Sequence, residues 1–215
     1  MDLLEEGDLA SLFSQKLRLY DNDDDYFERL KELLDSSSNI HQSKIKEWKN
    51  TKEAHIYCKI NNINGQVTGI LIENYIKFKY SMDKNKSSLC NGDLSKNGIN
   101  YEVKASNGGK HNNKFNYVQI RMNHDCIYLM TAYYIDISNL DSLGELFIFL
   151  VNKIEIKRLL VDHGSYAHGT KKKLGEITIE DLNREDNHKE YALRPKFNDK
   201  CWNDLLQFRI FGVIV

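Results

Sequence analysis

Two carboxylates and an ammonium group fall close together along one stretch of the chain. Gly92-Asp93-Leu94 is followed by the polar turn Lys96-Asn97-Gly98 and then by Tyr101-Glu102-Val103-Lys104-Ala105-Ser106. Asn-Gly between apolar runs is a strong hairpin signal, because both residues tolerate the positive φ that tight β-turns need. On the second strand Glu102 and Lys104 are two apart and share a face, while Tyr101, Val103 and Ala105 point the other way, into a core. Asp93, on the partner strand or at its end, can then meet Glu102 across the hairpin. Such a cluster is costly to fold unless something compensates it, and Mg²⁺ does so well. It prefers hard oxygen ligands, retains water and makes that water a better nucleophile. The Val103 carbonyl can add a further oxygen, and Lys104 can stabilise a hydroxide or a phosphate charge. The competing reading is a solvated strand face with cross-strand ion pairs.

Neighbouring residues extend the pattern. Glu73, in Gly69-Ile70-Leu71-Ile72-Glu73, falls on a candidate helix before the hairpin and is either another metal-shell carboxylate or a plain exposed charge. Ser106-Asn107-Gly108-Gly109-Lys110-His111 leaves the second strand as a polar loop suited to phosphates or base edges. Tyr117-Val118-Gln119-Ile120-Arg121 then starts a strand with Gln119 and Arg121 expected on one face, beside the metal.

These groups need elements to position them. Leu9, Leu12, Phe13 and Leu17, then Phe27, Leu30 and Leu34, recur at helical spacing, and Ile45 with Trp48 marks a third short helix. A longer helix is expected from about Gln66 to Met82, with Val67, Ile70, Leu71, Asn74, Tyr75 and Phe78 at i, i+3, i+4 spacing. After Lys86 the texture becomes strand-like: Tyr101–Ser106, Tyr117–Met122, Ile127–Tyr134 and Glu145–Val151. Lys153–Val161 reads as a helix, Tyr191–Phe197 as a strand and Trp202–Phe208 as a packing helix. Together they make a three-layer α/β or α+β domain spanning residues 1–215, with a possible helical appendage over residues 1–50.

The order helix-Glu, Gly-Asp, Glu-Val-Lys-Ala-Ser, Gln-Ile-Arg resembles the core of the PD-(D/E)XK nucleases, as in type II restriction endonucleases. The resemblance covers residues 65–135 and implies a restriction-endonuclease-like core, a central mixed β-sheet flanked by helices. It implies Mg²⁺ held by Glu73, Asp93 and Glu102, with Lys104 assisting the attacking water and Gln119 as the polar residue of the following core strand. It further implies hydrolysis of double-stranded DNA at a specific site by a homodimer, with a cognate DNA methyltransferase in the same bacterial or archaeal system. A repair, resolvase or homing-type nuclease, or a non-cutting DNA-binding protein on this fold, are the alternatives. One departure is Gly92, where the family carries proline.

The remaining polar segments are weaker. His163-Gly164-Ser165-Tyr166-Ala167-His168-Gly169-Thr170, Lys171-Lys172-Lys173 and Arg194 are read as phosphate or base contacts, against the plainer reading of a solvated loop. His163 and His168 lack a cysteine or carboxylate partner in sequence for zinc, and Cys58, Cys90, Cys126 and Cys201 form no CxxC pair. The formal net charge of -1 neither supports nor excludes a basic groove. Glu5, Glu6 and Asp8 argue against a secretory leader, and the scattered cysteines favour a reducing cytoplasm. Leu146–Val151, the most apolar run, is too short for a bilayer. No phosphate-binding glycine loop points to ATP.

Overall fold

The computed structural model describes residues 65–86, 92–107, 113–134, 145–167, 176–211 and 214. The helices expected before residue 50 lie outside these. The chain enters as helix α1 (Gly65–Lys79), then runs through β1 (Asp83–Lys84), β2 (Leu94–Lys96), β3 (Ile99–Ser106), β4 (Tyr117–Arg121), β5 (Ile127–Tyr134) and β6 (Glu145–Val151). Helix α2 (Lys153–His163), β7 (Ser165–Tyr166), α3 (Ile179–Asn183), β8 (Glu190–Leu193) and α4 (Lys200–Leu206) follow.

The strands form a mixed five-stranded sheet in the order β1-β2-β3-β5-β6 and a three-stranded sheet in the order β4-β8-β7. In the larger sheet β1, β2 and β3 are antiparallel neighbours, β3 and β5 run parallel, and β6 returns antiparallel to β5. The β2–β3 turn is the one read from Asn97-Gly98: both residues have positive φ, 52° and 78°. Residues 208–210 add backbone hydrogen bonds to the outer side of β6, with Phe208 and Ile148 carbonyls accepting from Leu150 and Ile210 at 2.9 Å.

Each face of the larger sheet carries its own core. Ile72, Tyr75 and Ile76 of α1 pack with Tyr101, Leu129, Tyr133 and Ile148 on one face. On the other, Tyr128, Met130, Phe147 and Phe149 meet Ile120, Tyr191, Leu193 and the buried Trp202. The period-2 alternation of β3 and β5 assigns residues to these two faces. Trp202 is held by stacking on Phe115 and an edge contact with Phe147, each with centroids 5.0 Å apart. The face of α1 differs from the expected one: Ile72 and Ile76 are buried, whereas Ile70 is 37% exposed. Helical spacing alone could not choose between these neighbouring stripes.

Helix starts follow their capping chemistry. Asn152 accepts from Glu155 N at 2.9 Å, Thr178 and Asp181 form a capping box, and Asp199 accepts from Trp202 N at 2.8 Å. No helix among the described residues is long and apolar enough to cross a membrane.

Two strand expectations are corrected. Tyr117–Arg121 does not join the sheet that carries β3; it pairs with β8 in the smaller sheet, Tyr117 opposite Leu193 and Arg121 opposite Glu190. Its register slips between Tyr117 and Ile120, and Gln119 sits in the bulge with φ 57° and an exposed side chain. A bulge of this kind turns a side chain off the alternating pattern, so Gln119 and Arg121 do not share a regular strand face. The strand following β3 in the core sheet is β5.

Candidate functional site

The hairpin brings Asp93 alongside the start of β3. The regular register ends with Leu94 opposite Tyr101, and Asp93 N also donates to the Tyr101 carbonyl at 2.8 Å, so Asp93 sits in an irregular step just beyond the ladder, within charge range of Glu102. Gly92 makes this entry possible. Its φ is +70°, and a Cβ there would lie 2.5 Å from the Tyr101 carbonyl oxygen. Proline, fixed near −65°, cannot take that path, which gives the departure from the PD-(D/E)XK pattern a local physical reason.

Asp93 Oδ2 accepts from Val103 N at 2.8 Å. The N–H and C=O of one strand residue point to the same side, so the Val103 carbonyl also faces the Asp93 side, beyond the last paired residue of β2. Glu102 is buried, and its Oε1 accepts from Lys104 Nζ at 2.7 Å. The shared face read from the Glu-x-Lys spacing is therefore present as a direct ion pair.

Asp93 carries the electrostatic cost of this arrangement. Burial, then the Glu102 carboxylate, pushes its carboxyl up to about 6; the Glu73 charge adds to the rise, while the Val103 hydrogen bond and Lys104 oppose it. Glu73 is not a fully solvated helix charge, since its side chain is 17% exposed, but its carboxylate is held by Lys84 Nζ at 3.1 Å. It reaches Asp93 through charge.

A third group touches Glu102 from outside the hairpin. His124 Nδ1 lies 3.9 Å from Glu102 Oε2, and Cys126 is close by, with the donor atoms of all three within 4.8 Å of one another. Burial, together with the charges of Arg121, Lys104 and Lys153, holds the His124 imidazole below its usual range, against the pull of Glu102. Burial pushes the Cys126 thiol up to about 12. Neither residue stood out in the sequence. The spacing His124-x-Cys126 just before an apolar strand was the available signal.

The other expected contacts are scattered. Ser106 Oγ accepts from Asn116 N at 3.0 Å, steadying the departure from β3. Arg121 is engaged by Glu190, its Nε donating at 2.9 Å. Arg194 donates to Ser165 Oγ, joining two residues read as DNA contacts. Asn107 is described, whereas Lys110, His111, His168, Thr170 and Lys171 to Lys173 lie outside the described residues. His163 does have a carboxylate partner, Asp204, at 2.7 Å from its Nε2, and Asp162 is within reach of both. The sequence separation of 41 residues hid that partner.

The donor set suits a hard divalent cation at Asp93, Glu102 and the Val103 carbonyl. The raised Asp93 carboxyl reflects its burial first and the nearby Glu102 charge second. No protein-family model matches the chain, no curated protein does, and no solved structure does.

Proposed function

We propose that the chain is a Mg²⁺-dependent endonuclease of the type II restriction kind, cutting double-stranded DNA at a specific site. The observation that carries this reading is the Glu102–Lys104 ion pair at 2.7 Å on β3, with the Asp93 carboxyl close enough at the end of the hairpin to be raised by the Glu102 charge as well as by burial, to about 6. Crowded carboxylates with one lysine suit metal-assisted phosphodiester hydrolysis, because hard oxygens bind the cation and a fixed ammonium meets the charge developing on phosphate.

Asp93, Glu102 and the Val103 carbonyl would hold Mg²⁺, which supplies a Lewis acid and a more acidic bound water. Val103 N fixes the orientation of the Asp93 carboxylate. Lys104, anchored by Glu102, would steady the attacking oxygen and the phosphate charge. Cutting both strands calls for two such centres, which favours a homodimer on a palindromic site. A DNA methyltransferase would then protect the host sequence.

The test is digestion of plasmid and phage DNA by the purified chain with Mg²⁺, followed by sequencing of fragment ends. Discrete fragments with a shared end sequence are expected. Intact DNA across a range of substrates and divalent cations refutes the assignment, and binding without cutting would leave a DNA-binding protein on this fold.

A further inference from the structure

The loop that precedes β5 places His124 and Cys126 against Glu102, on the side of the carboxylate that Lys104 does not occupy. Glu102 Oε1 is taken by Lys104, while Oε2 faces the His124 Nδ1 at 3.9 Å. That distance is too long for a hydrogen bond. It is close to the donor–donor spacing of about 3.5 Å around a tetrahedral ion bound at about 2.0–2.3 Å. All three side chains are buried, their donor atoms lie within 4.8 Å, and the parallel pairing of Glu102 with Tyr128 fixes the carboxylate beside the loop. Cys126 also lines a cleft of about 410 Å³ between the β2–β3 turn and the start of α2, bounded by Gly98, Asn100, Asn152 and Lys153.

We infer that Glu102, His124 and Cys126 form a binding site for a soft divalent transition metal of the zinc class, separate from the hard-cation site at Asp93. One carboxylate oxygen, one imidazole nitrogen and one thiolate make a three-donor set, which a water would complete as fourth ligand. Thiolate and imidazole select zinc-class ions over Mg²⁺, which takes oxygen donors. The site does not rest on the nuclease reading, since it needs neither Asp93 nor DNA. It uses the Glu102 oxygen that faces His124 and leaves the other to Lys104.

The experiment is titration of the metal-free, full-length chain with Co²⁺, read by absorption. A thiolate-to-cobalt charge-transfer band with the visible bands of a tetrahedral ion is expected, bleached by one equivalent of Zn²⁺. Cys126→Ser should abolish the charge-transfer band. His124→Gln should weaken Co²⁺ binding by about tenfold or more, a loss seen even when only a ligand's hydrogen-bond partner is removed. Asp93→Asn should keep the band. The carboxylate-and-histidine group Asp162, His163 and Asp204 holds no thiol, so it cannot mimic the signal. A wild-type protein without the band, or a band that persists in Cys126→Ser, overturns the site. Should Cys126→Ser fail to fold by circular dichroism, unchanged Co²⁺ affinity in His124→Gln overturns it instead. Cleavage plays no part in these readouts, so inactivity on DNA would sink the nuclease reading and leave this one standing.

Discussion

Replacing Asp93 with Asn should make the metal-free protein more stable. An aspartate in an unstructured chain titrates near about 3.9, whereas burial and the Glu102 carboxylate push Asp93 to about 6. Each factor of ten in acidity corresponds to about 1.4 kcal/mol, so the ionised form costs the folded state about 3 kcal/mol. Solvent reaches part of the side chain, which lowers the realistic figure to about 2 kcal/mol. Asparagine removes the charge and keeps an oxygen for the Val103 N–H, which donates to Asp93 at 2.8 Å. For a chain of this size about 2 kcal/mol raises the melting temperature by about 4–8 °C. The folded state holds the Asp93 proton more tightly than the unfolded chain does. Wild type therefore falls behind the variant as pH rises from about 4 to about 6, and the gap is complete at pH about 8. Below about 4 both states are protonated and the two proteins melt together. Calorimetry in EDTA across this range measures the gap. Excess Mg²⁺ should reverse the order, since a ligand at about a hundred times its Kd stabilises by about 2.7 kcal/mol. A variant that melts below wild type at pH about 8 without metal, or a gap indifferent to acid, refutes the argument.

Three further outcomes follow from the same geometry. Lys104→Ala should lower the cleavage rate by about 10³-fold with little change in DNA affinity, because its charge matters most as the phosphate charge develops; single-turnover kinetics set beside binding curves would expose a loss confined to affinity. Glu73→Gln removes a neighbouring negative charge, so the Asp93 carboxyl should titrate at lower pH, followed by carbon-13 NMR of the side chain; an unmoved titration would mean that Glu73 does not act on Asp93. Gly92→Ala forces a Cβ toward the Tyr101 carbonyl at positive φ, which should cost about 1–3 kcal/mol and disturb Asp93 placement; a urea midpoint equal to wild type would contradict this.

The hairpin was legible because its determinants are local. Asn97-Gly98 sets the turn, and the two-residue spacing sets the shared face of Glu102 and Lys104 without reference to the rest of the chain. The strands β5 and β6 were legible because their apolar and aromatic runs are buried on both faces. Gln119 was misread because its strand pairs with β8, a partner supplied by the far end of the described chain, and because a bulge at positive φ leaves no mark in a polar residue's type. The Glu102, His124 and Cys126 group escaped for a related reason. Only the parallel pairing of β3 with β5 brings the loop of His124 to Glu102, and parallel register is not written in either strand alone. His163 found Asp204 in the same long-range way.

The segment 208–210 along β6 also bears on how copies of this chain could associate. An open β-strand edge invites another strand to pair with it. Here one margin of the large sheet is already occupied by Leu150 and Ile210 backbone bonds. The opposite margin, β1, is only two residues long and consists of the exposed, charged Asp83 and Lys84. Among the described residues, neither end strand of the larger sheet offers a long unpaired edge. Stripping residues 208–210 from β6 would convert a sealed rim into an open edge prone to fibrous aggregation.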